Sequence, residues 1–236
     1  MSKDRLIFAL DVSNAAEARR LVADLRNEVG AFKIGLQLFT SEGASFVREI
    51  VDGGSRVFLD VKFHDIPNTV ASAAVEAARL GVWMFNIHAS GGEKMMSLAV
   101  EKVREVCSKE GIEPPKLIAV TVLTSTDKKT LLESGIALDP EELVVKYALA
   151  AKRCGLDGVV ASPLEAGAIR NAIDDPHYLV VTPGVRPDFA TIDDQKRVTT
   201  PRQAIRNGSD FIVLGRPIRT ADDPVKAARQ IVEEMS

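Results

Sequence analysis

The sequence predicts a (β/α)8 barrel, and three observations carry that expectation. Short apolar runs alternate with amphipathic stretches eight times from end to end. The runs are nearly continuous in apolar residues, as parallel strands covered on both faces require. The chain has 236 residues, close to the roughly 250 that eight βα units occupy. A doubly wound open sheet is the alternative, because alternation alone does not prove closure. The count of eight favours the barrel. No linker, low-complexity segment or charge block divides the chain, so residues 1–236 read as one barrel domain.

Each unit can be justified in order. "RLIFALDV" (5–12) is an apolar run ending in a carboxylate, and "NAAEARRLVADLRNEV" (14–29) has helical spacing, with Ser13 or Asn14 as its cap. "AFKIGL" (31–36) is the second strand and "SEGASFVREIVDG" (41–53) a helix closed by glycine. "RVFLDVKF" (56–63) precedes the helix "TVASAAVEAARLG" (69–81), and "VWMFNIHA" (82–89) precedes "EKMMSLAVEKVREVCSKEG" (93–111). "KLIAVTVL" (116–123) runs through a polar stretch to "PEELVVKYALAAKRCG" (140–155), and "DGVVAS" (157–162) to "PLEAGAIRNAI" (163–173). "YLVVTPG" (178–184), then a loop and "TPRQAIRNG" (200–208), form the seventh unit. "DFIVLGR" (210–216) and "DPVKAARQIVEEM" (223–235) form the eighth.

Composition narrows the function classes. Apolar residues make up 46%, charged residues 27%, and the net charge is −3. No basic stripe with interleaved aromatics points to nucleic acid, and no apolar run is long enough for a membrane helix. The start, "MSKDRLIFAL", lacks a cleavage site, so a cytoplasmic protein is expected. Cys107 and Cys154 lie in no metal or disulfide motif and read as free thiols. His64 and His88 read as hydrogen-bonded rim residues, Met95 and Met96 as helix packing, and Trp83 as a strand side chain. The glycines of "ASGGEK" are open between a simple turn and an anion site at the following helix.

Barrel sites lie at the C-terminal ends of the strands. There the sequence places Asp11, Lys33, Asp60, Lys62, Asp65 and His88. Alternation puts Phe58, Asp60 and Lys62 on one face, facing the barrel interior near its mouth. Asp65 falls in a turn, where parity no longer decides direction. Lys33, Asp60, Lys62 and Asp65 form a set of alternating sign. Two unit charges about 4 Å apart interact by about 4 kcal/mol at an effective dielectric of 20, so alternation keeps all four ionised. "TPGVRP" and "GRPI" add Arg186, Gly215 and Arg216 where barrels commonly hold phosphate, and "GVRPDFATIDDQKRVTT" is a candidate lid.

These residues resemble the orotidine 5'-monophosphate decarboxylase family over essentially the whole chain. The most specific element is "FLDVKFHDIPNT" (58–69), which looks like that family's Asp-x-Lys-x-x-Asp signature. "FALD", "FKIGLQLF", "VTVLTS", "TPGVRP" and "VLGRPI" match in order and spacing. The resemblance implies removal of the C6 carboxylate of orotidine 5'-monophosphate to give UMP, without cofactor or metal. It implies Lys62 as proton donor, Asp60 beside the leaving carboxylate, and Lys33 and Asp11 at the ribose hydroxyls. Thr124 would bond the pyrimidine amide edge, Gln195 would bridge base and phosphate, and Arg216, with the Gly215 amide, would hold the phosphate near Arg186. Leu123, Ile66 and Pro183 would line the pocket into which carbon dioxide departs. It further implies a homodimer in which Asp65, Ile66 and Thr69 complete the partner's site, and a bacterial, monofunctional type. Two alternatives stand beside this reading: a Mg²⁺-dependent sugar-phosphate decarboxylase or aldolase sharing the signature, and a catalytically dead barrel serving as a nucleotide sensor.

Overall fold

The computed structural model describes residues 2–189 and 199–236. A 3₁₀ turn at Ser2–Arg5 leads into strand β1, Leu6–Ala9. The other strands are β2 (Ala31–Gly35), β3 (Val57–Phe63), β4 (Met84–His88), β5 (Lys116–Val120), β6 (Gly158–Val160), β7 (Leu179–Pro183) and β8 (Phe211–Leu214). Each lies parallel to the next, and β8 returns to β1 through Leu6–Ile212, Ile7–Val213 and Phe8–Leu214. That last pairing closes the barrel and removes the open-sheet alternative.

Two apolar layers follow from the period of two along each strand. Inward side chains Ile7, Ala9, Ala31, Phe58, Met84, Ile118, Val181 and Val213 pack in the barrel lumen. The alternate residues, among them Phe8, Phe32, Leu59 and Phe85, face the helices in a separate, larger cluster. Helix α1 (Ala15–Leu25) shows why the helices sit as they do. Asn14 caps it, accepting from the Glu17 N–H at 2.9 Å, and Ala15, Ala18, Leu21 and Leu25 are buried. Fully burying one such leucine contributes about 1.5–3 kcal/mol.

The remaining helices are α2 (Leu36–Asp52), α3 (Pro67–Arg79), α4 (Gly92–Glu110), α5 (Lys128–Glu133) and α6 (Pro140–Arg153). They continue with α7 (Ala166–Ala172), α8 (Pro201–Arg206), α9 (Arg216–Arg219) and α10 (Pro224–Glu234). Pro67 opens α3, where its missing N–H costs nothing. Three differences from the sequence reading stand out. Helix α2 starts at Leu36, before the expected Ser41, and breaks at Gly43 (φ 72°). The polar stretch after β5 contains α5, capped by Asp127 accepting from the Thr130 N–H at 2.8 Å. The residues after β8 wind into α9. Short helices of this kind carry too few apolar residues for periodicity to reveal. Among the described residues no helix is long and apolar enough to cross a membrane.

Candidate active site

A cavity of about 450 Å³ opens at the C-terminal ends of the strands. Its floor is the top of the lumen layer, Ala9, Phe58 and Val213. Its walls carry Asp11, Lys33, Asp60 and Lys62 together with Arg186, Gly215, Arg216 and Arg219, and Gly215 lies beside Asp11, whose Oδ2 a Cβ there would meet at 3.4 Å. Leu123, Thr124 and Pro183 also line it.

The first group is a chain of alternating charge. Lys33 Nζ lies 3.0 Å from Asp11 Oδ1 and 3.3 Å from Asp60 Oδ2. Lys62 Nζ lies 2.6 Å from Asp60 Oδ1. Asp60 is the hub, with its side chain only 13% exposed. Burial pushes its carboxyl pKa up, but the charges of Lys33 and Lys62 and hydrogen bonds from Lys62 and Asn86 outweigh burial and hold it below the usual range.

Asn86 was not legible as a site residue, although β4 parity puts it on the inward face with Met84. It is fully buried, donates to Asp60 Oδ1 at 2.7 Å and accepts the Lys62 N–H at 2.8 Å. A lone amide in "MFNIH" was the available signal. It is needed because Lys62 does not continue a regular strand. The β3–β4 register shifts between Leu59 and Phe63, and Lys62 sits at φ 53°, the left-handed region that side chains seldom occupy. The face shared with Phe58 and Asp60 is therefore reached through a bulge held by Asn86, not through simple pleating.

Asp65 departs from the expected four-member set. Its carboxylate accepts the Ile66 N–H at 2.6 Å and makes no ion pair among the described residues. Asp11 takes the end position instead. Asp65, Ile66 and Thr69 are exposed, Ile66 at 68%, and none lines this chain's own cavity. The Arg186 N–H donates to the Thr199 carbonyl at 3.0 Å, next to the Val185–Thr199 bridge. Gln195 and most of the candidate lid lie outside the described residues. Cys107 and Cys154 are free thiols. No cluster of three or more His, Cys, Asp or Glu able to hold a metal occurs among the described residues.

His64 and His88 are packed rather than hydrogen-bonded, which corrects the sequence reading. Their ring centroids are 5.5 Å apart, and neither imidazole has a hydrogen-bond partner among the described residues. His64 lies against Gly91. A Cβ there would meet His64 Cδ2 at 3.2 Å and the Met95 sulfur at 2.2 Å, so the turn after β3 is seated by the absence of a side chain. Burial, with His64 and Lys62 nearby, lowers the His88 pKa. The folded protein then binds fewer protons here than the unfolded chain, so stability falls as pH drops below the ordinary histidine value of about 6.5. Thermal melts at pH 7 and pH 5 should show a smaller loss of Tm in His88→Gln than in the unsubstituted protein. Equal losses would remove His88 from the acid sensitivity.

Comparison with known proteins gives the family. The profile of the orotidine 5'-phosphate decarboxylase / HUMPS family matches residues 4–231. The chain belongs to that family. It is 55% identical over 235 residues to orotidine 5'-phosphate decarboxylase of Syntrophotalea carbinolica, covering 100% of this chain and 96% of the relative. It is 51% identical over 234 residues to the enzyme of the same name from Geobacter sulfurreducens, covering 99% and 97%. The crystal structure of orotidine 5'-phosphate decarboxylase from Lactobacillus acidophilus superposes with a TM-score of 0.85 at 36% identity, covering 98% of both chains. An uncharacterized conserved protein from Geobacillus kaustophilus superposes with a TM-score of 0.84 at 37% identity, covering 98% of this chain and all of that one.

Proposed function

We propose that this protein decarboxylates orotidine 5'-monophosphate to UMP and carbon dioxide, the last step of de novo pyrimidine biosynthesis. The observation that carries the reading is the Lys33–Asp60–Lys62 chain in a cavity that arginines also line. The bond from C6 to the carboxylate breaks and its electron pair stays on C6. Carbon dioxide departs toward the apolar wall of Leu123 and Pro183. The Lys62 ammonium stabilises the developing carbanion and then gives C6 its proton, and solvent restores the ammonium. The reaction needs no cofactor in this scheme. Preorganisation supplies the rate: Lys62 is already anchored on Asp60 at 2.6 Å, so little reorganisation is needed as charge develops.

In the same reading Lys33 and Asp11 hold the ribose hydroxyls and Thr124 the amide edge of the base. Gln195 bridges base and phosphate, while Arg216, the Gly215 amide and Arg186 bind the phosphate. Residues 1–236 act as one barrel in the cytoplasm, and two copies form a homodimer with shared sites. The outward turn carrying Asp65, Ile66 and Thr69 supports that assembly, because it lines no part of its own cavity and Ile66, at 68%, is the most exposed large apolar residue among the described ones.

Pure protein mixed with orotidine 5'-monophosphate should remove the substrate's absorbance and yield UMP. Exhaustive EDTA should leave the rate unchanged. Activity that disappears with EDTA and returns with Mg²⁺ would favour a metal-dependent member of the family.

A further inference from the structure

We infer that Arg219 is a further anion-binding residue of this cavity, acting beside Arg216 to select the doubly charged form of a phosphate monoester. The inference rests on the proposed substrate and adds a residue to its phosphate end. Arg216 and Arg219 are three residues apart on α9, so their side chains leave the same side of the helix. Both line the cavity together with Arg186. The two carboxylates of the cavity wall are already engaged by Lys33 and Lys62. None of the three guanidinium groups has an ion pair or side-chain hydrogen bond among the described residues.

Among the described residues, Arg219 is the one arginine with a buried side-chain nitrogen, its Nε, that lacks a hydrogen-bond partner. Arg170, also half-buried, donates to the Gly208 and Tyr178 carbonyls and pairs with Asp210. Arg79 pairs with Glu76 and Glu110. A buried donor without an acceptor is costly in a folded chain, and a ligand oxygen arriving at that point relieves it. The planar guanidinium fork matches phosphate oxygens. Three such groups without counter-charge fit a ligand carrying more than one negative charge. A phosphate monoester reaches that state above its second pKa of about 6.

UMP serves as the probe, titrated calorimetrically at pH 7.5 and pH 5.5, alongside the KM for orotidine 5'-monophosphate. Arg219→Ala should weaken UMP binding about tenfold or more at pH 7.5, the effect of one charge-assisted hydrogen bond. The loss should shrink at pH 5.5, where the ligand is largely a monoanion, and Arg219→Lys should recover part of it. Binding within twofold of the unsubstituted protein, or a loss identical at both pH values, would overturn the inference. Arg216→Ala is the control for the site itself. If the unsubstituted protein binds UMP yet does not decarboxylate the substrate, the proposed reaction fails while the titration still decides the role of Arg219.

Discussion

Lys62→Ala is expected to remove nearly all decarboxylation while leaving the fold in place. Two losses combine. The proton donor to C6 disappears, and positioned proton transfer contributes about 10²- to 10⁴-fold in rate. The cation closest to the developing carbanion disappears too, and a unit charge about 4 Å away is worth about 4 kcal/mol at an effective dielectric of 20. The fold should survive because Lys62 is half-buried at the barrel mouth and contributes nothing to either apolar cluster. Asp60 keeps Lys33 at 3.3 Å and Asn86 at 2.7 Å, so its carboxylate is not left buried and unpaired. The Lys62 N–H bond to Asn86 is a backbone bond and persists in alanine. Turnover and a thermal melt measured on the same preparation decide the matter. Substantial residual activity in a folded variant would end the assignment of Lys62 as donor.

The second large effect is expected from Asp65, which lies off its own cavity. If its turn completes the site of a second copy, Asp65→Ala should be nearly inactive although the chain's own Lys33–Asp60–Lys62 network is untouched. Asp65→Asn is the useful companion. It keeps an acceptor for the Ile66 N–H, now seen at 2.6 Å, and removes only the charge. Mixing inactive Lys62→Ala with inactive Asp65→Ala should then restore activity once subunits exchange. Each mixed dimer has one site carrying both defects and one carrying neither. Random exchange at equal concentration gives about a quarter of the unsubstituted rate, because half the dimers are mixed and each has one good site. If tagged subunits exchange and activity stays absent, Asp65 acts within its own chain, and the shared site is wrong.

Much of this was legible in the chain itself. Eight apolar runs separated by amphipathic stretches dictate parallel strands covered by helices, since each run is apolar on both faces and must be buried on both. Asp11 just past β1, and Lys33 and Asp60 inside β2 and β3, are charged interruptions of those apolar runs that can be read locally, and strand ends are where this architecture opens to solvent. The Asn14 cap could also be read, because capping acts over three residues.

What required the folded chain is non-local. Closure depended on β8 meeting β1, a pairing of residues some two hundred positions apart that no local pattern encodes. Lys62 reaches the cavity through a left-handed backbone angle and a register shift held by Asn86 from the next strand, whereas pleating alone was the expected cause. Asp65 shares the signature with Asp60 and Lys62, yet the turn seated by His64 on Gly91 carries it away from them. Arg219 became visible only when α9 brought it beside Arg216 with a buried, unbonded Nε. Periodicity reports which face a residue shares with its own neighbours. Which charges finally meet is set by the spacing between strands, and that is fixed only when the barrel closes.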